Sequence, residues 1–333
     1  MHRGSHTTTT RIALVAITTV IVALCLGLLA PDRAGSSPSV TTAQSTITAT
    51  CARQPVTLRA HWYIPARQPT ALVWLQHGFS RSARNLDTMA RAYAAGGFLV
   101  VAPDLDSVNL AGCGVAYNIA DNAAFARTIA DVFGHASEPD SPLARSLRSA
   151  AASRHRDVAM PGPMIFSGHS AGGEFVLMAA DALRIADPTA YRRLRGLMLF
   201  DPVNSFFGSH FVTAAADLAA ARLPIRVIAS QPSFSNTFGI GVSILQRTTH
   251  QKFLGVRLVT GIHIDVEMES TDLIGVLSGL GAPRPRNGRV IRTLATHWSS
   301  DMVSHTVTPA FYPGGSYYRF LLRTNTITTL PVG

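Results

Sequence analysis

The sequence predicts an α/β fold, with a mostly parallel central sheet of about eight strands and helices on both faces. Three observations predict it. Short runs rich in β-branched residues are apolar throughout, as strands buried on both faces are. These runs alternate along the chain with stretches of helical spacing. Several of these runs end at turn signals such as His-Gly, Pro-Asp or Asp-Pro. The chain has 333 residues, 47% hydrophobic and only 14% charged, where an average soluble domain carries about a quarter charged residues. Disorder over most of its length is therefore excluded, and a sizeable core is available.

In order, Val56 to Ile64 (VTLRAHWYI) alternates as a strand, and Thr70 to Leu75 (TALVWL) is a short apolar strand ending at Gln76-His77-Gly78. Ala83 to Ala95 has helical spacing and stops at Gly96-Gly97. Phe98 to Ala102 is a buried strand closed by Pro103-Asp104, followed by helical patterns over Asn118 to Phe133 and Ser141 to Arg154. Met164 to Ser167 (MIFS) is a strand leading through Gly168 into an apolar helix ending at Leu183. Gly196 to Phe200, Ile225 to Ala229 and Phe253 to Thr260 supply three more strands. The last fifty residues read as one helix plus irregular chain. No internal repeat is present.

The N-terminus carries Arg3 and Arg11 before an uncharged run from Ile12 to Ala30. Nineteen helical residues span roughly 28 Å, close to the hydrocarbon thickness of a bilayer. Residues 1–34 are thus a signal peptide or a transmembrane anchor, with positive charge ahead of the run placing the body outside the cytoplasm. Residues 35–50 are Ser/Thr-rich and read as a tether, leaving 51–333 as the folded domain. Of the three cysteines, Cys25 lies in the apolar run, while Cys51 and Cys113 could pair in an oxidising compartment or remain two free thiols. The net charge is +10, almost all from arginine, since Lys252 is the single lysine. The arginines are scattered, and no zinc-finger, basic-zipper or aromatic-interleaved signature accompanies them, so nucleic acid is not an expected partner.

Three separated motifs carry the chemistry. Gly168-His169-Ser170-Ala171-Gly172 is a G-x-S-x-G between an apolar strand and an apolar helix. A turn tight enough to expose a serine hydroxyl there needs small neighbours, which Gly168, Gly172 and Gly173 supply. Ser170 is therefore the candidate nucleophile. His77-Gly78-Phe79-Ser80 follows an earlier strand. Attack on an ester builds negative charge on the carbonyl oxygen, which needs preorganised N–H donors. The amides of Ala171, after the serine, and of Phe79, in this earlier loop, are the candidate oxyanion hole.

A serine hydroxyl stays a weak nucleophile until a histidine takes its proton and a carboxylate holds that histidine's tautomer. Of His210, His250, His263, His297 and His305, only His263 stands just beyond a good terminal strand, in Gly261-Ile262-His263-Ile264-Asp265. No Asp or Glu occurs from Leu218 to Ile264, so the loop after the penultimate strand has no acid to offer. The strand before it, GLMLF, ends in Asp201-Pro202-Val203, which makes Asp201 the candidate acid.

On LVWLQHGFS…GGFLVVAPD, FSGHSAGGEF, LMLFDPV and the His-x-Asp of His263 and Asp265, the sequence resembles the α/β-hydrolase superfamily. The resemblance is nearest to the chlorophyllase branch and weaker to platelet-activating-factor acetylhydrolases and cutinase-like polyester hydrolases. It implies an α/β-hydrolase fold with Ser170 as nucleophile, Asp201 as acid after the sixth strand and His263 as base. Ala171 stands where plant chlorophyllases usually carry arginine, so ester hydrolysis rather than chlorophyll cleavage is what carries over.

Asp265, Glu267, Glu269 and Asp272 form an acidic cluster that admits a calcium site or, more simply, the start of a helix over Thr271 to Leu280. No cofactor or metal is implied. The leading expectation is an exported serine esterase or lipase acting on small-molecule or lipid esters, held at the membrane if the apolar segment is retained. Its rivals are acyl transfer to cell-envelope sugars or lipids by the same triad, and a non-catalytic binding protein on a hydrolase fold. Phe206, Phe207, Phe211, Phe234 and Phe238 either line a greasy acyl site or pack against the sheet.

Overall fold

A computed structural model describes residues 39–332. The apolar run from Ile12 to Ala30, Cys25 and the signal-or-anchor reading of 1–34 lie outside the described residues. Among the described residues, no helix is long and apolar enough to cross a membrane.

Nine strands form: β1 (Thr41–Cys51), β2 (Gln54–Ile64), β3 (Leu72–Gln76), β4 (Leu99–Pro103), β5 (Met164–His169), β6 (Leu194–Phe200), β7 (Ile225–Ala229), β8 (Gly255–Leu258) and β9 (Ile327–Thr329). They make one sheet in the order β1-β2-β4-β3-β5-β6-β7-β8-β9. Strands β3 to β8 pair in parallel, while β1, β2 and β9 are antiparallel additions at the two edges. β3, β4 and β5 are buried along their whole length, so the continuous apolar runs reflect cover on both faces.

The helices are α1 (Asp87–Ala95), α2 (Ala123–Gly134), α3 (Pro142–Ala152), α4 (Ala171–Ala186), α5 (Pro188–Tyr191), α6 (His210–Ala220), α7 (Ile240–Thr248), α8 (Leu273–Ser278), α9 (Pro285–Ser304) and α10 (Ser316–Arg323). Helices α2, α3, α4, α6 and α7 bury their apolar stripes on one face of the sheet. There Trp74 stacks on Phe133 with ring centroids 4.4 Å apart and meets Phe166 edge-on at 5.0 Å. Helices α1, α9 and α10 close the other face around Trp298, Tyr93 and Tyr318.

Two expectations are corrected. The tether expected over 35–50 becomes strand β1 from Thr41, with Ala43, Ile47, Ala49 and Cys51 turned inward and Thr48 and Thr50 outward. The inward side chains, small apart from Ile47, pack against α2 and α3. The last fifty residues hold two helices, α9 and α10, and the edge strand β9 rather than a single helix. Tyr318 and Leu321 anchor α10 to the core from a segment otherwise rich in polar residues.

Cys51, at the end of β1, is bonded to Cys113 in the loop before α2, with Cα atoms 5.8 Å apart. The two-free-thiols alternative is thereby removed. The bond spans 62 positions. On the loop-entropy estimate, that restricts the unfolded chain by about 4 kcal/mol. A Cys51→Ser/Cys113→Ser variant should unfold at lower urea concentration, with a steeper slope because the unlinked unfolded chain exposes more surface. A midpoint equal to that of the parent would contradict the estimate.

Candidate functional site

Strand β5 hands directly into α4 at Ser170, which sits at φ 57° and ψ −128°. A non-glycine residue in that region is strained. The surroundings hold it there: the Ser170 amide donates to Phe200 O at 3.1 Å, and its carbonyl accepts from Gly173 and Val203. The turn also runs tight against the end of β3. A Cβ on Gly172 would collide with the carbonyl oxygens of Gln76 and His77. That close approach explains the glycine after the serine.

The structure brings all three candidate side chains together. Ser170 Oγ lies 2.9 Å from His263 Nε2, and His263 Nδ1 lies 2.6 Å from Asp201 Oδ2. With Asp201 ionised, Nδ1 must carry the proton, so Nε2 is left to accept from the serine hydroxyl. Asp201 follows β6 at φ 44° and is buried. Its Oδ1 accepts from the Ser230 amide at 2.9 Å, and its Oδ2 accepts from Ser230 Oγ at 2.5 Å and Asn236 Nδ2 at 3.0 Å. Burial alone pushes this carboxyl up, but the His263 and Ser230 hydrogen bonds outweigh it and hold it below the usual carboxylate range.

The earlier loop closes over the same point. Gly78 backs onto Ser170, so closely that an added Cβ would come within 2.7 Å of the serine Cβ. His77 fixes the loop: its Nδ1 donates to Gly78 O at 2.9 Å and its Nε2 accepts from the Leu105 amide at 3.0 Å. Burial pushes the His77 imidazole down, which keeps it neutral and able to do both. The Phe79 amide has no protein acceptor among the described residues. Ala171 occupies the first position of α4, where a helix amide has no intrahelical partner.

Ser170 opens into a cleft of about 610 Å³ walled by Phe79, Val203, Phe206, Phe234, Phe238 and Ile240. The alternative of aromatics packed on the sheet holds only for Phe211, which is in the core. Phe206, Phe234 and Phe238 line the cleft, and exposed Phe207 sits against Tyr117.

A ferulic acid esterase from Streptomyces cinnamoneus aligns with a TM-score of 0.54 at 12% identity, over 90% of this chain and 98% of its own. The fold is that of the α/β hydrolases. The esterase domain of a Rhodothermus marinus protein aligns at TM-score 0.47 and 14% identity, over 79% of this chain and 98% of that domain. No protein-family model matches the sequence, and no curated protein is significantly similar to it.

Several residues that position this site gave no signal in the sequence. Ser230 and Asn236, which seat Asp201, come from the loop set aside for lacking an acid. His169, the variable residue of G-x-S-x-G, donates from Nε2 to the His263 carbonyl at 2.9 Å. Burial and the neighbouring His263 imidazole push His169 down to about 3, so it stays neutral beside the site. The acidic cluster, weighed as calcium ligands, is engaged with protein. Asp265 accepts from Asn287 and the Ile262 and Arg284 amides, and Glu269 lies 3.6 Å from Arg292. Glu267 takes a bidentate pair from Arg81, with both contacts at 2.6 Å, and Arg81 also reaches Asp272 at 2.9 Å. That pair ties the Phe79 loop to the segment after His263.

Beneath the cleft, Glu174 on α4 accepts from the Ser205 amide at 2.8 Å and from its hydroxyl. Ser205 Oγ in turn accepts from the Tyr117 amide at 2.8 Å. Burial pushes the Glu174 carboxyl up from 4.5 to about 7, against the pull of the Ser205 hydrogen bonds. An acid whose folded-state value lies above its unfolded one costs the fold nothing while both states are protonated. It destabilises the fold as pH rises through that window, here by up to about 3 kcal/mol. Urea unfolding between pH 4 and 8 should therefore show the parent losing stability relative to Glu174→Gln as pH rises. Parallel pH profiles for the two proteins would contradict this.

Proposed function

We propose that the protein is a serine hydrolase that cleaves carboxylic esters through an acyl-enzyme intermediate. One observation carries the reading: the unbroken hydrogen-bond chain from Asp201 through His263 to Ser170, ending at an apolar cleft. As the Ser170 oxygen attacks the ester carbonyl, its proton passes to His263 Nε2. The carbonyl oxygen becomes an oxyanion, received by the amides of Phe79 and Ala171. Asp201 keeps the imidazole oriented and favours the imidazolium that forms. Collapse of the tetrahedral species breaks the ester C–O bond, and His263 returns the proton to the leaving alcohol. Water, deprotonated by the same imidazole, then attacks the acyl carbon and releases the carboxylic acid and Ser170.

The walls of the cleft favour an apolar acyl or aromatic moiety, since Phe206, Phe234 and Phe238 offer area but no charge to recognise one. The Cys51–Cys113 disulfide is compatible with work outside the cytoplasm. Steady-state hydrolysis of p-nitrophenyl butyrate tests the assignment. Ser170→Ala should lower kcat by at least about 10⁴-fold with KM little changed. Retention of activity within about tenfold of the parent would overturn it.

A further inference from the structure

Helix α8 is built inside out. A surface helix ordinarily turns its apolar stripe to the core, but here the core side is glycine. A Cβ on Gly275 would come within 2.7 Å of Arg81 Nη2, and one on Gly279, just past the helix, within 2.5 Å of Ile264 Cγ1. The large residues point away. Leu273, Ile274, Leu277 and, beyond the helix, Leu280 are 61–79% exposed. The helix is nonetheless firmly held. Asp272 caps it through the Gly275 amide at 2.8 Å and grips Arg81 at 2.9 Å, so the exposed leucines are presented in a fixed arrangement.

The patch is continuous with the mouth of the cleft. Ser235 Oγ donates to Ser278 O, joining α8 to the loop whose Phe234 and Phe238 are 82% and 67% exposed. Exposed apolar surface of this kind marks an interaction site. Two basic residues follow the helix closely in the chain: Arg284, four positions after Leu280, and Arg289, early in α9, are exposed and have no ion-pair partner among the described residues. The neighbouring carboxylates Glu269 and Asp272 are already paired with Arg292 and Arg81.

We infer that α8 and the Phe234 loop form a docking surface for a lipid layer bearing anionic headgroups. Leucine and phenylalanine side chains enter the acyl region, and Arg284 and Arg289 meet the headgroups. Charge selects this occupant over a second copy of the chain, because pairing through the same face would bring the like-charged arginines of both copies together. The inference rests on the hydrolase reading only for what docking delivers, an ester held in the layer at the mouth of the Ser170 cleft.

Leu277→Trp in the full chain tests it, since the three native tryptophans are fully buried and report little on the surface. With vesicles of phosphatidylcholine and phosphatidylglycerol carrying brominated acyl chains, the introduced indole should shift to the blue and be quenched. Adding Arg284→Gln and Arg289→Gln should raise the lipid concentration for half-quenching by at least about tenfold. An indole that stays water-exposed on these vesicles would overturn the inference. So would a blue shift that depends on protein concentration without lipid, which would indicate a second copy. Ser170→Ala in the same background should abolish hydrolysis and leave quenching unchanged, so the two readings succeed or fail separately.

Discussion

A single buried carboxylate constrains the whole carboxyl edge of this sheet. Asp201 has lost its water and recovers stability only through four hydrogen bonds from His263, Ser230 and Asn236. An unpaired buried charge is costly, so each donor must be delivered in register. β6 places the acid, the end of β7 places Ser230, and the turn after β8 places His263. The imidazole, fixed on one side by Asp201, has its other nitrogen free for Ser170. The strained serine turn and the left-handed φ of Asp201 itself are the local backbone costs of that convergence.

Around this edge the loops are braced to one another more than to the sheet. His77 locks the Gly78 turn, and the Arg81–Glu267 pair fastens that turn to the segment following His263. Glu174 and Ser205 secure the cleft floor to α4. The cleft is thus a preorganised wall of aromatic side chains whose supports are polar and buried. The outward leucines of α8 extend the same apolar surface beyond the cleft, stiffened by the Asp272 cap.

The strands, the serine turn and the three candidate side chains were legible in the sequence because each has a local cause. A fully buried strand must be continuously apolar, a sharp strand-to-helix turn must be small on both sides, and an acid-free stretch from Leu218 to Ile264 leaves Asp201 as the carboxylate at the right strand end. What stayed hidden depends on partners distant in sequence. β1 carried a period-two signal in Ala43, Ser45, Ile47, Ala49 and Cys51, but its side chains are mostly too small to stand out from a tether until α2 and α3 lie on them. Ser230, Asn236 and His169 are ordinary polar residues until the carboxylate and imidazole they hold are adjacent. The inversion of α8 reads as an apolar helix in one dimension and only shows its outward leucines once Arg81 and Ile264 claim the glycine side.

Covalent labelling with a fluorophosphonate, followed by peptide mass mapping, tests the central claim most directly, because phosphonylation requires a hydroxyl activated by its imidazole. The expected result is one adduct per chain, carried by the peptide containing Ser170 and lost in His263→Ala. A chain that remains unlabelled, or an adduct that persists undiminished without His263, would contradict the account.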